Sequence, residues 1–165
     1  MTGVQTCALP ILHSGGRPDV QAVAPQRRSA SLSPVTTERR SVYSGSPWEG
    51  VVAYCRAKRV GNVIVVSGTV GIDERGQPVA PGDMYRQTLF ALRKIGRALG
   101  ELGSGFGDVV RTRAFLTDLS RFDEFARAHR EIFSGIDPAA TAVEVSRLVA
   151  PEYLVEIEAD AIVGE

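Results

Sequence analysis

Beyond residue 51 the apolar and polar positions follow two rhythms, one with a period of two and one with a spacing of three and four. Residues 53–60 and 62–67 read as short strands joined at Gly61-Asn62, and the second carries the β-branched run Val63-Ile64-Val65-Val66. Residues 69–81 hold Gly71, Gly76, Pro78 and Pro81, which leaves room for one short edge strand near Val79. The rhythm then becomes helical. Leu89, Leu92, Ile95, Leu99 and Leu102 form one stripe, with Asp83 placed to cap its start and the glycine-rich 103–107 to end it. Residues 109–116 form the next strand. Ser120 or Asp118 caps a second helix, which carries Phe122, Phe125, His129, Ile132 and Phe133 on one side and stops at Gly135. Two strands follow, at 141–148 and 154–163. The last turns Val155, Ile157, Ala159 and Ala161 to one face and Leu154, Glu156, Glu158, Asp160 and Ile162 to the other. Carboxylates in that position face either solvent, the commoner arrangement, or a specific site.

This order predicts an α+β domain, a mixed sheet of about six strands with two helices on one face. The 165 residues suit a single domain, and 44% hydrophobic with 23% charged is ordinary globular composition. Acidic and basic residues balance at 19 each, but residues 1–40 hold five basic and two acidic ones, so residues 41–165 carry a net charge of −3. That charge gives no reason to expect nucleic acid or a membrane surface as partner. The longest apolar runs fall far short of a membrane span. Residues 1–40 are rich in Pro, Ser, Gly, Gln and Arg and lack either period, so they are expected to be disordered or non-native. Residues 1–11 match the translation of a common sequencing adapter, and the domain is expected over residues 41–165. Cys7, Cys55, His13 and His129 are too few and scattered for a zinc site. If Cys7 belongs to the adapter, Cys55 stands alone, which fits a reducing, cytoplasmic setting.

Four separated motifs then carry a resemblance. Tyr54 with Gly61-Asn62 and Ser67-Gly68, the run Val109-Val110 to Phe115 and Asp118-Leu119, Pro138 to Leu148 with Val143-Glu144-Val145, and Val155-Glu156-Ile157-Glu158-Ala159 together resemble the RidA/YjgF family, also called endoribonuclease L-PSP. The match spans residues 42–165. It implies a chorismate-mutase-like fold, a homotrimer with ligand clefts between subunits, and cofactor-free and metal-free hydrolysis of imines or enamines to carbonyl compounds and ammonia. A trimer would also bury the sheet face that two helices leave open.

The resemblance assigns water orientation to Glu156, with Glu158 next in register, a cleft-facing role to Tyr54, and substrate contacts to Ser67 and to the main chain at Ala142. It also locates a departure: imine deaminases of the family carry Pro-x-Arg where this chain reads Pro138-Ala139-Ala140. Losing that bidentate carboxylate clamp weakens binding by roughly 2–5 kcal/mol. Arg56, two residues beyond Tyr54, is either a partial substitute or part of a solvated basic edge with Lys58 and Arg59. His129 and Cys55 read as packing residues, Trp48 as an anchor before the first strand, and Glu144 as either a group at the subunit contact or an edge carboxylate. Three functions follow: an imine hydrolase with altered substrate preference, a non-catalytic trimer that binds a small metabolite, and a ribonuclease, which the acidic core disfavours.

Overall fold

The apolar stripe of the long helix has to be buried, and a six-stranded sheet supplies the surface. The computed structural model describes residues 37–164. The elements are β1 (Arg39–Val42), α1 (Pro47–Val52), β2 (Ala57–Val60), β3 (Val63–Val70), α2 (Met84–Glu101), β4 (Val109–Leu116), α3 (Phe122–Phe133), β5 (Ala139–Glu144) and β6 (Val155–Ile162). The sheet order is β1-β2-β3-β6-β4-β5, antiparallel except for β4 beside β5. That parallel pair needs a crossover, and α3 provides it.

All five residues of the predicted stripe, Leu89, Leu92, Ile95, Leu99 and Leu102, are buried. Leu92, Ile95, Leu99 and Leu102 meet Ile64, Val66, Ala114, Leu116, Val155, Ile157, Ala159 and Ala161 from the sheet. The alternation of β6 is therefore the expected one, apolar toward the helices and acidic away from them. Gln87 on α2 is fully buried, donating to the Glu152 carbonyl at 2.8 Å and accepting from the Leu154 N–H at 2.8 Å, which ties the β5–β6 connection to the helix. Asp83 caps α2 as expected, its carboxylate accepting from the Arg86 N–H at 2.9 Å. Replacing Asp83 by alanine should cost about 1 kcal/mol, read as a lower urea midpoint with an unchanged slope.

Several expectations are corrected. Residues 1–36 lie outside the described residues, but Arg39 and Arg40, assigned above to the extension, pair with Val60 and Arg59 in β1. A third helix appears: the segment 53–60 read as one strand is the end of α1, an irregular stretch and then β2. Ala53 at φ 60° closes α1 in the left-handed region, so the chain cannot run extended through it. Pro47 at the helix start favours that turn. Near Val79 there is only an isolated bridge between Ile72 and Pro78. Asp118 caps a single 3-10 turn, Leu119–Arg121, that leads into α3. Trp48 is exposed, along with Val51 and Val52 of α1, because so short a helix lies outside the core.

Among the described residues, no helix is long and apolar enough to cross a membrane. The sheet face away from the helices presents Val63, Val65 and Val143 to solvent.

Candidate active site

Between Val66 and Thr69 the register of β3 against β6 slips, so Ser67 and Gly68 together oppose Glu158. The extra residue keeps Val66 and Thr69 both buried while freeing carbonyls of the bulge. Arg56 supplies the missing donors. Its Nη1 lies 3.1 Å from the Ser67 carbonyl, 2.6 Å from that of Gly68 and 2.9 Å from Thr69 Oγ1. Its Nη2 donates to the Tyr54 hydroxyl at 3.3 Å, and its Cζ sits 5.6 Å from the centre of the Tyr54 ring. Ser67 Oγ donates to the Cys55 carbonyl at 2.9 Å. Arg56 is only 8% exposed, so it is not part of a solvated basic edge. It precedes β2 rather than sharing a strand with Tyr54, and most of its donors are engaged within its own chain.

The carboxylates of β6 sort into two kinds. Arg113 on β4 stands opposite Glu158 in the register and bridges it at 3.1 Å and Asp160 at 2.8 Å. Glu156 makes no such pair among the described residues. It packs against Gly68, where any Cβ would collide with its carboxylate. Burial pushes the Glu156 carboxyl above its ordinary value, the charge of Glu158 pushes the same way, and Arg56 opposes both. A carboxylate that is partly desolvated, raised in pKa and unpaired suits a base. Gly68 was quoted above only as part of a motif; its missing Cβ is what admits the carboxylate, and that contact appears only once the bulge is known.

Ala140 and Ala142 lie elsewhere. In the parallel register they pair with Thr112 and Ala114, which face the helices, whereas Glu156 pairs with Phe115 on the open face. One chain thus carries two groups of candidate site residues on opposite faces of the sheet. The second group lies on a groove of about 760 Å³ between α3 and β5, lined by Phe122, Phe125, His129, Arg130, Ala140 and Ala142 among others. His129 packs as expected: its Nε2 is 3.0 Å from Thr112 Oγ1, its ring lies 4.6 Å from that of Phe133, and burial lowers its pKa. Glu144 accepts from the Leu119 N–H at 2.7 Å and so braces the loop leading into α3.

At the other edge of the sheet, Glu49 is buried and accepts from Ser44 N–H and Oγ, each at 2.8 Å, and from Gly45 N–H at 3.1 Å. Burial pushes its carboxyl up, but these donors and Arg56 together hold it below the usual carboxylate range. Glu49 therefore fixes the loop ahead of Tyr54 and Arg56, a task its place in the sequence did not announce.

The endoribonuclease L-PSP family profile matches residues 46–163. An uncharacterized Streptomyces coelicolor protein is 35% identical over 76% of this chain and 92% of its own length. The mouse protein named 2-iminobutanoate/2-iminopropanoate deaminase is 33% identical over 67% of this chain and 82% of its own. Among solved structures, a Mycobacterium tuberculosis member of the YjgF/YER057c/UK114 family shares 46% identity at a TM-score of 0.70, covering 76% of this chain and all of that one. Profile, relatives and fold agree, and the chain belongs to the RidA/YjgF (endoribonuclease L-PSP) family.

Proposed function

We propose that this protein hydrolyses imines or enamines without a cofactor, at clefts between the subunits of a homotrimer, with a substrate preference altered at Ala140. The observation that carries this reading is Glu156, the β6 carboxylate that has no ion pair among the described residues while Arg113 holds the other two. Glu156 takes a proton from water as the oxygen attacks the C=N carbon. The Glu156 carboxyl returns that proton to the nitrogen, giving a carbinolamine; its hydroxyl proton then passes to the nitrogen as the C–N bond breaks, and a carbonyl compound and ammonia leave. In this reading Tyr54, whose hydroxyl accepts from Arg56, and Ser67, next to the Gly68 against which Glu156 packs, contribute hydrogen bonds to the substrate. Relatives named as deaminases support this chemistry.

Two half-sites on opposite sheet faces act together only if one subunit supplies Glu156 and its neighbour supplies the α3–β5 groove. The exposed Val63, Val65 and Val143 favour burial of the open face against such neighbours. Sedimentation of residues 37–165 as a monomer would overturn the assembly. Hydrolysis is tested on imines generated in place by an amino-acid oxidase and trapped with semicarbazide, the rate of trapping falling as enzyme is added. Installing the strand arginine, Ala140→Arg, should raise kcat/KM on short 2-imino acids about tenfold, equivalent to about 1.4 kcal/mol of added carboxylate binding. A protein that binds small ligands yet never turns over an imine, with or without that change, would favour the metabolite-binding reading.

A further inference from the structure

The groove beside Ala140 carries a charge on its helical side. Arg130 lies on α3, across the groove from Ala140, and lines the same cavity. Among the described residues its guanidinium has no ion pair and no hydrogen bond, while Arg56, Arg113 and Arg121 are all committed to their own chain. His129 is a poorer candidate, because burial disfavours its charged form and Thr112 Oγ1 lies 3.0 Å from its Nε2. Arg130 is thus the one permanent cation among the described residues lining the groove. The groove floor is aromatic: the Phe125 and His129 ring centres are 5.5 Å apart, those of Phe122 and Phe125 5.8 Å, and those of His129 and Phe133 4.6 Å. Small residues, Ala126, Ala140 and Ala142, line the groove beside them.

We infer that Arg130 binds the substrate carboxylate in this protein, and that the groove selects 2-imino acids with an aromatic or bulky apolar side chain. The inference rests on the hydrolase reading for the word substrate, but the binding it describes is measurable without turnover. A guanidinium on a helix offers a carboxylate the same paired donors as one on a strand. The short side chains of Ala140 and Ala142 leave the groove open for a ligand side chain resting on Phe122 and Phe125. Asp137, also on the groove, disfavours a second negative charge on the ligand.

The test is calorimetric titration of the full chain with phenylpyruvate, with 2-oxobutanoate as a smaller acid and phenylacetone as the uncharged counterpart. Phenylpyruvate should bind at least tenfold more tightly than either. Arg130→Ala should remove the advantage over phenylacetone, and Arg130→Lys should restore part of it. Arg130 is exposed, so both variants keep the fold, which sedimentation and circular dichroism check. Equal phenylpyruvate binding in Arg130→Ala, no preference for phenylpyruvate over either of the other two, or no binding of any probe would overturn the inference. Discriminating binding without imine turnover would instead sink the hydrolase reading and leave Arg130 as the carboxylate site.

Discussion

Glu156→Gln should lower imine hydrolysis by roughly 10²–10⁴-fold while leaving the protein more stable at neutral pH. Glutamine keeps the shape of the side chain beside Gly68 but cannot take a proton from water. The stability change has the opposite sign because the native environment of Glu156 disfavours its charge. Burial first, and then Glu158, raise its pKa above the ordinary 4.5. In the unmodified protein, folding therefore binds the proton more tightly than the unfolded chain does. Stability from this group is fully present below about pH 4.5 and is lost as pH rises through the higher native value. Glutamine never ionises, so its advantage in denaturation midpoint should be absent at pH 4 and largest at pH 7 and above. The parent's rate should rise with pH through the same native value, as required of a base acting in its ionised form. A variant that loses stability at pH 7, or keeps its activity, would remove Glu156 from the role assigned to it.

Arg56→Met should destabilise the fold by about 3–5 kcal/mol, a large share of the 5–15 kcal/mol that holds a domain together. Methionine fills much of the same volume but leaves the Ser67 and Gly68 carbonyls without their donor, and Glu49 and Glu156 without the cation that opposes their burial. Chemical denaturation at pH 7 gives the loss directly. Arg56→Lys should recover part of it, since an ammonium reaches fewer of the acceptors. Where the Lys variant folds, the acid limb of its rate profile tests the coupling. A cation placed less favourably lets the Glu156 pKa rise, so the limb should move to higher pH. An unchanged limb would mean that Arg56 holds the bulge and nothing more.

These two residues also mark how far the sequence could be read. Glu156 was accessible because a strand has a period of two: once Val155, Ile157, Ala159 and Ala161 are buried, Glu156, Glu158 and Asp160 must share the other face. The long helix was accessible for the same kind of reason, a stripe at spacing three and four behind a capping aspartate. Periodicity says which side a residue takes but not what stands opposite. Arg113 lies 45 residues from Glu158 and 47 from Asp160, and only the β4–β6 register makes it the partner that leaves Glu156 free. Arg56 looked like either a clamp or a surface charge, because a bulge in β3 that opens carbonyls toward it has no signature beyond Ser67-Gly68.

Short elements were lost for a related reason. Helix α1 spans six residues, less than two full turns, and is held by its proline start, the left-handed Ala53 and the buried Glu49 rather than by any stripe. β1 is four residues long and contributes little beyond its hydrogen bonds to β2 and the buried Val42. What the sequence by itself determined was therefore everything that repeats along the chain: the strand and helix periods, the face each side chain takes, and the family motifs built on them. The tertiary structure alone decided which distant charges meet, that Arg56 is buried, and that Ala140 and Glu156 occupy opposite faces of one sheet. Those outcomes depend on register and strand order, and they arise from closure of a core that no local window of sequence contains.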